Sequence, residues 1–339
     1  MSERSLVEEN PLLGESPAFM NALEQVSLVA PLNKPVLVIG ERGTGKELVV
    51  ARLHFLSRRW GNAFIKLNCA TLPETLLETE LFGHEAGAFT GAQKRRQGRF
   101  ELADEGTLFL DEVANSSLRV QEKILHVIEY GEFERVGGMK TLQVDVRIIA
   151  ATNRDLPQMA RDHQFREDLL DRLAFDVITL PPLRDRPEDI MLLAEHFAIH
   201  MSQELGSELF PGFSARVKQQ LMEYPWPGNV RELKNVIERA VYRMQDLDTP
   251  LDAIQFDPFA SPFRPVEKKR AVTTEAGDTP ETPSLPEGPV EFKERVKDYE
   301  IALIKKSLAD NKFNQRKAAD ALGLSYHQLR GYLRKYDIK

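Results

Sequence analysis

The chain has 339 residues, of which 42% are hydrophobic, 29% are charged and 8% are aromatic. This composition is that of a globular protein and excludes disorder along the whole length. Domains average about 150 residues, so the length predicts about two domains with at least one large core. The single cysteine, Cys69, cannot form an internal disulfide. That count favours a cytoplasmic protein, as does the lack of a signal peptide or a long apolar stretch.

Charge is distributed unevenly along the sequence. The net charge is −7, but residues 311–339 hold seven Lys or Arg against two Asp, a local balance of +5, which leaves −12 for the rest. Screening over about 10 Å makes local charge more important than the total. A small basic module on an acidic body therefore indicates a contact with a phosphate backbone. Before this module, residues 258–289 contain seven of the twenty prolines, which predicts an extended linker.

Alternating strand and helix patterns fill the first half of the chain. Five short apolar runs predict buried strands at 35–39, 64–67, 107–110, 146–150 and 175–180. Helical periodicity separates these runs, for example at 46–59 and 118–128, so we expect an α/β fold with a parallel sheet. Helical periodicity alone continues over 188–247. We expect an α/β subdomain at 1–187, a helical lid at 188–257, the linker at 258–289 and a small all-α domain at 290–339.

A glycine-rich turn follows the first predicted strand and precedes a predicted helix. It has the Gly-x-x-x-x-Gly-Lys spacing of a P-loop and comprises Gly40, Glu41, Arg42, Gly43, Thr44, Gly45, Lys46 and Glu47. Glycines allow successive N–H groups to surround phosphate oxygens, and Lys46 reaches the β- and γ-phosphates. A structural glycine turn is the alternative. Glu47 stands where Ser or Thr usually helps to hold Mg²⁺.

Two carboxylates, Asp111 and Glu112, follow the third predicted strand. Ligands of open α/β sheets bind at the carboxyl ends of the strands, so we expect Asp111 to hold Mg²⁺, directly or through water. Glu112 would then polarise the water that attacks the γ-phosphate. Acids that only cap the next helix are the alternative. Asn68 and Asn153 follow the second and fourth strands and lie at the same edge of the sheet. Each is equally well explained as part of the nucleotide site or as an ordinary turn residue.

Three arginines are further candidates for phosphate binding. Arg166 and Arg172 flank Asp168, and their spacing fits either a solvated helix in which Asp168 pairs with Arg172 or arginines supplied to a neighbouring subunit. Arg231 follows an Asn-x-x-Glu capping pattern that starts at Asn229, so it falls in the first turn of a helix, where a cation opposes the helix dipole. A surface ion pair would remove that conflict, but we favour a bound phosphate.

Residues 80–92 read ELFGHEAGAFTGA. The last six are Gly87, Ala88, Phe89, Thr90, Gly91 and Ala92. With this signature the chain resembles the AAA+ activators of sigma-54 RNA polymerase, also called bacterial enhancer-binding proteins. The resemblance covers about residues 12–258 and the last fifty. It implies an AAA+ P-loop ATPase with a lid, a hexameric ring with ATP between protomers, and remodelling of sigma-54 RNA polymerase holoenzyme. Glu47 is the usual variant in this family, so it does not count against ATP use.

The resemblance also implies roles for individual residues at the nucleotide site. Asp111 and Glu112 look like the Walker B pair, with Asp111 as the Mg²⁺ ligand. Asn68 looks like the partner that restrains the catalytic Glu112, and Asn153 looks like the sensor I residue. The three arginines resemble the two trans-acting fingers, Arg166 and Arg172, and sensor II, Arg231.

The signature loop is implied to contact sigma-54 and to move with the nucleotide state. Small residues around Phe89 and Thr90 form a compact mobile tip that presents an apolar contact, although a turn with Phe89 packed into the core is the alternative. About a dozen residues precede the predicted ATPase. Within the family this arrangement resembles the activators of phage-shock operons, which implies restraint by a partner, PspA. Trp60 is a candidate docking aromatic for that regulator, or a tryptophan that covers the sheet edge.

The basic C-terminal segment has a helix-turn-helix pattern. A long amphipathic helix is predicted at 292–310, Asn314 caps a short helix, and Ser325 begins a capping box that opens a second helix. Contacts with DNA bases or phosphates are predicted for Lys317, Tyr326, His327, Gln328, Arg330, Arg334 and Lys335. A charged face exposed to solvent is the alternative. The segment resembles the Fis-type module that ends most members of the family.

Three functions compete on this sequence. The first is an ATP-hydrolysing transcription activator that binds an upstream enhancer-like site and remodels the sigma-54 polymerase. The second is a DNA-binding repressor that uses ATP only as a ligand, and the third is a protein unfoldase with a DNA tether. The first is our prediction.

Overall fold

The computed structural model describes residues 12–261 and 292–336, apart from residues 208, 245, 247, 312 and 313. They form two compact units that divide between residues 262 and 263. Most of the predicted linker, from residue 262 onward, lies outside the described residues. Within these ranges no helix is both long and apolar enough to cross a bilayer.

Five parallel strands form the centre of the first unit. They are β1 (Val36–Ile39), β2 (Phe64–Asn68), β3 (Thr107–Asp111), β6 (Arg147–Thr152) and β7 (Val177–Thr179), in the order β2-β3-β6-β1-β7. A separate antiparallel hairpin joins β4 (Glu132–Glu134) to β5 (Thr141–Gln143). The predicted α/β fold with a parallel sheet is confirmed, and each of the five strands lies within one or two residues of its predicted ends.

Helices cover both faces of this sheet. They are α1 (Pro17–Val29), α2 (Lys46–Phe55), α3 (Glu74–Phe82), α4 (Arg99–Leu102), α5 (Leu118–Tyr130), α6 (Leu156–Arg161) and α7 (Glu167–Leu173). Successive strand residues point to opposite faces, so Leu108 and Leu110 belong to one buried cluster and Phe109 to the other. Because both faces are buried, the strands are apolar throughout rather than alternating, and this explains why they stood out in the sequence.

The helix after the P-loop ends earlier than predicted. It stops at Phe55 rather than at residue 59. The Ser57 hydroxyl donates to the carbonyl of His54 at 2.6 Å and accepts from the N–H of Arg59 at 3.1 Å. This local bonding replaces the next helical turn, as serine side chains do near helix ends.

A helical subdomain follows the sheet, as predicted. It contains α8 (Glu188–Glu204), α9 (Ala215–Glu223) and α10 (Asn229–Tyr242), which pack around the fully buried Trp226. The expected capping role of Asn229 is wrong. Gly228 is the N-cap, and its N–H donates to the carboxylate of Glu232 at 2.7 Å, so Asn229 is the first helical residue and its side chain bonds elsewhere.

The second unit is a three-helix domain. It consists of α11 (Phe292–Asp310), α12 (Gln315–Ala321) and α13 (Tyr326–Lys335). Asn314 caps α12 and Ser325 forms the capping box with Gln328, so both predicted caps are confirmed. Leu329 and Leu333 face a small core together with Ile304, Leu308, Ala318 and Ala319.

One buried histidine lies beneath the sheet at the end of α2. His54 is 2% exposed, stacks on Phe64 with a centroid separation of 4.6 Å, and hydrogen-bonds Thr107 Oγ1 at 3.0 Å. Burial, reinforced by the positive charge of Arg147, lowers the pKa of His54 to about 4 from an ordinary value of 6.5. The folded protein therefore favours the neutral imidazole.

This histidine predicts a loss of stability in mild acid. Between pH 6.5 and pH 4 the unfolded chain binds the His54 proton and the folded chain does not, so the free energy of unfolding falls as pH falls. The slope from this group is at most about 1.4 kcal/mol per pH unit. Urea unfolding from pH 7.5 to 4.5 measures it. We expect a shallower slope in His54→Gln and an unchanged slope in the exposed control His126→Gln; equal slopes in the two variants would contradict the assignment.

Candidate nucleotide site and contact surfaces

The P-loop forms one wall of a cavity of about 660 Å³ between the sheet and the lid. Pockets of roughly 300–1,000 Å³ hold ligands of nucleotide size. Gly43 and Gly45 have φ values of +82° and +99°, which a side chain would strain. Lys46 begins α2, and its Nζ donates to the carbonyls of Gly40 at 2.8 Å and Glu41 at 3.2 Å. The backbone of this loop can therefore approach phosphate oxygens closely, with Lys46 beside them.

Lys46 and two carboxylates share the floor of the cavity. Burial lowers the pKa of Lys46, and the negative charges of Glu112 and Asp111 partly offset that effect. Burial also raises the pKa of Asp111, and the neighbouring Glu112 raises it further. The predicted carboxylates and the predicted lysine are thus close enough to act on one another electrostatically. Glu47 also lines the cavity and forms an ion pair with Lys66 at 3.0 Å.

Asn68 makes a different contact from the one that the family resemblance implied. Its Nδ2 donates to Asp111 Oδ2 at 2.7 Å, not to Glu112. The reason is the strand register, which places Asn68 directly opposite Asp111 in the β2–β3 pair. Its carbonyl oxygen accepts from the N–H of Ala70 at 2.9 Å.

Asn153 is the asparagine that contacts the catalytic candidate Glu112. With its Nδ2 facing the carboxylate, it donates to Glu112 Oε2 at 2.9 Å and its oxygen accepts from Arg42 Nε at 3.1 Å. Glu112 itself has a left-handed backbone, with φ of +51°, and so turns away from the strand direction. The P-loop, the third strand and the fourth strand of the prediction are therefore connected through side chains.

Arg231 reaches the same cavity from the lid. It lies in the first turn of α10, as predicted, and its N–H donates to the carbonyl of Gly43 at 3.3 Å. The positive charges of Arg231 and Arg42 both act on Lys46. No carboxylate in the described part of the chain forms an ion pair with Arg231, which disfavours the surface ion pair as its role.

Arg166 and Arg172 lie away from the cavity of their own chain. Arg166 pairs with Asp168 at 2.7 Å, and Arg172 pairs with Glu129 of α5 at 2.9 Å. The alternative pairing of Asp168 with Arg172 is therefore wrong, because α7 presents Arg172 to the neighbouring helix. Neither arginine lines the nucleotide cavity.

The protein offers few side chains that could hold a metal ion at this site. Among residues 12–261 and 292–336, no group of three or more His, Cys, Asp or Glu side chains is placed to hold a metal ion. Mg²⁺ usually takes one or two carboxylates and completes its shell with phosphate oxygens and water. Asp111, at the strand end beside Lys46, fits this minimal role.

The signature loop is a compact turn supported from below. Gly87 and Gly91 have φ of +83° and +103°, and the N–H of Gly87 donates to the carbonyl of Ala92 at 2.8 Å. Phe89 is 43% exposed and meets the ring of His84 edge-on at 5.0 Å, so it is not part of the core. Thr90 is exposed.

A second segment holds the base of this loop. Arg135 is buried, donates to Glu85 at 2.6 Å and also pairs with Glu101. A Cβ on Gly137 would lie 2.7 Å from the Cβ of Ala88. The hairpin that contains Gly137 thus packs against the loop with no space between them.

Two more predicted surfaces are exposed. Trp60, in the turn after α2, is 59% exposed. In the three-helix domain, Lys317, His327, Gln328, Arg330, Arg334 and Lys335 are exposed. Tyr326 is half-buried, with the guanidinium of Arg316 5.8 Å from its ring centre, and Gln328 Oε1 accepts from the N–H of Ser325 at 2.9 Å.

Comparisons with known proteins decide the family. The family described as "Sigma-54 interaction domain" matches residues 12–179, "AAA+ ATPase lid domain" matches 184–272, and "Bacterial regulatory protein, Fis family" matches 295–336. The sequence is 59% identical over 327 residues to the Psp operon transcriptional activator of Escherichia coli (strain K12), which covers 96% of this chain and 98% of that relative. The chain belongs to the sigma-54-dependent transcription activators. It is an AAA+ ATPase that activates transcription and carries a DNA-binding helix-turn-helix.

Other members of this family extend the comparison. The regulatory protein AtoC of Escherichia coli (strain K12) is 44% identical over 96% of this chain and 68% of its own length. The crystal structure of NtrX from Brucella abortus in complex with ATP is similar at a TM-score of 0.68 and 29% identity, over 99% of this chain and 72% of that chain. This activator thus shares its architecture with a solved protein that binds ATP.

Sequence reasoning missed several residues that build the site. Arg184 binds the carboxylate of Glu41 through two nitrogens at 2.6 and 2.9 Å. Arg186 is 2% exposed, donates to the carbonyl of Thr44 at 3.2 Å and lines the cavity. The signal available was the sequence Leu-Arg-Asp-Arg-Pro directly before the lid, where two arginines stand between apolar elements.

Replacing Lys46 tests the assignment of the cavity. We expect Lys46→Ala to weaken binding of a non-hydrolysable ATP analogue roughly 10- to 100-fold, because a hydrogen bond to a charged group contributes about 1.5–3 kcal/mol. Calorimetric titration measures the affinity. The exposed Lys218→Ala on α9 is the matched control and keeps the affinity of the original chain. Unchanged binding by Lys46→Ala would place the nucleotide elsewhere.

Proposed function

We propose that this activator serves a phage-shock operon, the transcriptional response to membrane stress, from an upstream enhancer-like DNA site. The observation that carries this proposal is the 59% identity to the Psp operon activator over 96% of the chain. Polymerase and promoter lie in the cytoplasm, so the protein works there. PspA is its proposed negative regulator, and the exposed Trp60 is the proposed docking residue.

Different residues around the cavity carry out different steps of ATP binding and hydrolysis. The backbone of residues 40–47 and the ammonium group of Lys46 bind the β- and γ-phosphates. Asp111 would hold Mg²⁺, which would neutralise charge on the phosphate oxygens. Glu112 orients the attacking water and accepts its proton, while Asn153, bonded to Glu112, fixes the direction of the carboxylate. Arg231 adds positive charge from the lid.

A homo-hexamer completes this site. Arg166 and Arg172 lie outside the nucleotide cavity of their own chain, and both are partly exposed. Placed by a neighbouring protomer at the γ-phosphate, they would stabilise the charge that develops as the bond to the leaving group breaks. Their present partners, Asp168 and Glu129, are exposed enough to release them at small cost.

The effect of ATP hydrolysis is proposed to be transmitted to the polymerase through residues 87–92. The exposed Phe89 supplies the apolar contact with sigma-54, and Thr90 supplies a hydroxyl at the same tip. The three-helix domain binds DNA, with His327, Gln328 and Arg330 directed to bases and the other predicted cations directed to phosphates. The proposed domain boundaries are 187/188, 257/258 and 289/290.

Glu112→Gln separates hydrolysis from binding. We expect ATP affinity to stay within about twofold, since the amide keeps the shape of the side chain, while turnover falls roughly 10²- to 10⁴-fold with the loss of the base. The assay is transcription in vitro with sigma-54 holoenzyme, ATP and a supercoiled promoter, run beside ATPase measurements. Normal transcription by Glu112→Gln would favour a nucleotide-liganded regulator that needs no hydrolysis.

Removing the basic domain separates the two activities of the chain. We expect residues 1–258 alone to hydrolyse ATP but to lose site-specific DNA binding, because the cavity is built entirely before residue 258. Gel-shift titration with the upstream promoter region and an ATPase assay measure the two properties. Site-specific binding retained by residues 1–258 would refute the proposed division.

A further inference from the structure

Asn229 occupies an unusual position at the start of the lid helix α10. It is fully buried, with 0% of its surface exposed, and its backbone is left-handed, with φ of +52°. A buried polar side chain at such a position needs partners and a reason to tolerate the strained backbone. No other residue in the described part of α10 has a positive φ.

The side chain of Asn229 joins two separate segments. Its Oδ1 accepts from the N–H of Leu183 at 2.8 Å, in the segment that leads into the lid. Its Nδ2 donates to Glu41 Oε2 at 3.1 Å and to the carbonyl of Arg42 at 3.0 Å, both on the P-loop. One amide therefore connects the lid to the loop that binds phosphate, with its donor and acceptor groups serving different elements.

Neighbouring contacts make this connection rigid. Arg184 binds both oxygens of Glu41, and this bond, followed by that from Asn229, lowers the pKa of Glu41 to about 2. At Gly43 a Cβ would overlap the carbonyl of Gly228, so the two backbones touch directly. Three successive P-loop residues, 41–43, thus lie against the first turn of α10.

Arg231 is two residues beyond Asn229 in the same helical turn. Its N–H bonds to the carbonyl of Gly43, and its side chain lines the cavity that contains Lys46. Because a helical turn is stiff, fixing Asn229 on the P-loop also fixes the direction from which Arg231 enters the cavity.

We propose that Asn229 is a positioning residue that pins the lid to P-loop residues Glu41 and Arg42, so that Arg231 and Lys46 act on the same phosphate group. The inference rests on the proposed role of Arg231. Asparagine is suited to this position because it tolerates a left-handed backbone and offers both a donor and an acceptor.

The chemistry of the amide provides a selective variant. Asn229→Asp keeps the tolerance of the left-handed backbone and the acceptor for Leu183, but it sets a carboxylate against Glu41 and the carbonyl of Arg42. The lid side of the connection is retained and the P-loop side is lost. Asn235→Asp makes the same chemical change at an exposed position of the same helix and is the matched control.

A double-mutant cycle with Arg231→Ala tests the proposal. ATP turnover of the full chain is measured as kcat and KM, at protein concentrations where turnover per chain no longer rises. Alone, Asn229→Asp lowers kcat/KM by roughly tenfold, the size expected when a hydrogen bond to a charged group is lost. In the Arg231→Ala background the same change has an effect of less than about twofold, since residues that act through one another are not additive. Asn235→Asp changes neither background.

Two outcomes would overturn the inference. Equal losses in the two backgrounds would show that Asn229 acts independently of Arg231 and leave the proposed function intact. Full activity of Arg231→Ala would overturn the role of Arg231 and the inference with it. If thermal unfolding shows that Asn229→Asp does not fold, Asn229→Gly is used in the same cycle and judged by the same two criteria; glycine tolerates the left-handed backbone and removes all three side-chain hydrogen bonds.

Discussion

The parallel register of the sheet is the constraint on which the nucleotide site depends. Strand β6 lies between β3 and β1, and all three run the same way, so their carboxyl ends meet at one edge. Backbone bonds hold neighbouring strands roughly 4.8 Å apart. The P-loop, the Asp111–Glu112 pair and Asn153 each begin where one of these strands ends. Their proximity is therefore set by the sheet and its two buried clusters, not by loops.

The nucleotide cavity at this edge of the sheet combines positive and negative side chains. Lys46, Arg42 and Arg231 bring positive charge to a cavity whose floor carries Asp111 and Glu112. Burial disfavours ionisation of Lys46 and of Asp111, which is why their pKa values move in opposite directions. A polyphosphate adds negative charge beside the three cations, and a divalent cation adds positive charge beside Asp111. The charges of the cavity therefore complement a polyphosphate together with a divalent cation better than either ligand alone.

The sequence predicted elements whose signal is local and missed contacts that depend on register. Strand runs, the P-loop and the caps at Asn314 and Ser325 follow from short patterns, and all were found. The partner of Asn68 could not be read from its position, because Asn68 and Asp111 are 43 residues apart and meet only through strand pairing. Asn229 illustrates the opposite error, since a capping pattern was present but the backbone was left-handed. The helix-turn-helix was likewise predicted from a local pattern, an amphipathic helix followed by two capped helices.

Contact between Ala88 and Gly137 has a consequence for how the signature tip is carried. The two residues belong to segments far apart in sequence, yet a single methyl group on Gly137 would collide with Ala88. Backbone bonds between Glu85 and Val136 and between Val136 and Gly83 fasten the same two segments. The position of Phe89 is consequently set by the β4–β5 hairpin, on which the loop packs. Shortening or lengthening that hairpin would shift the whole tip as a body, without altering any of its own six residues.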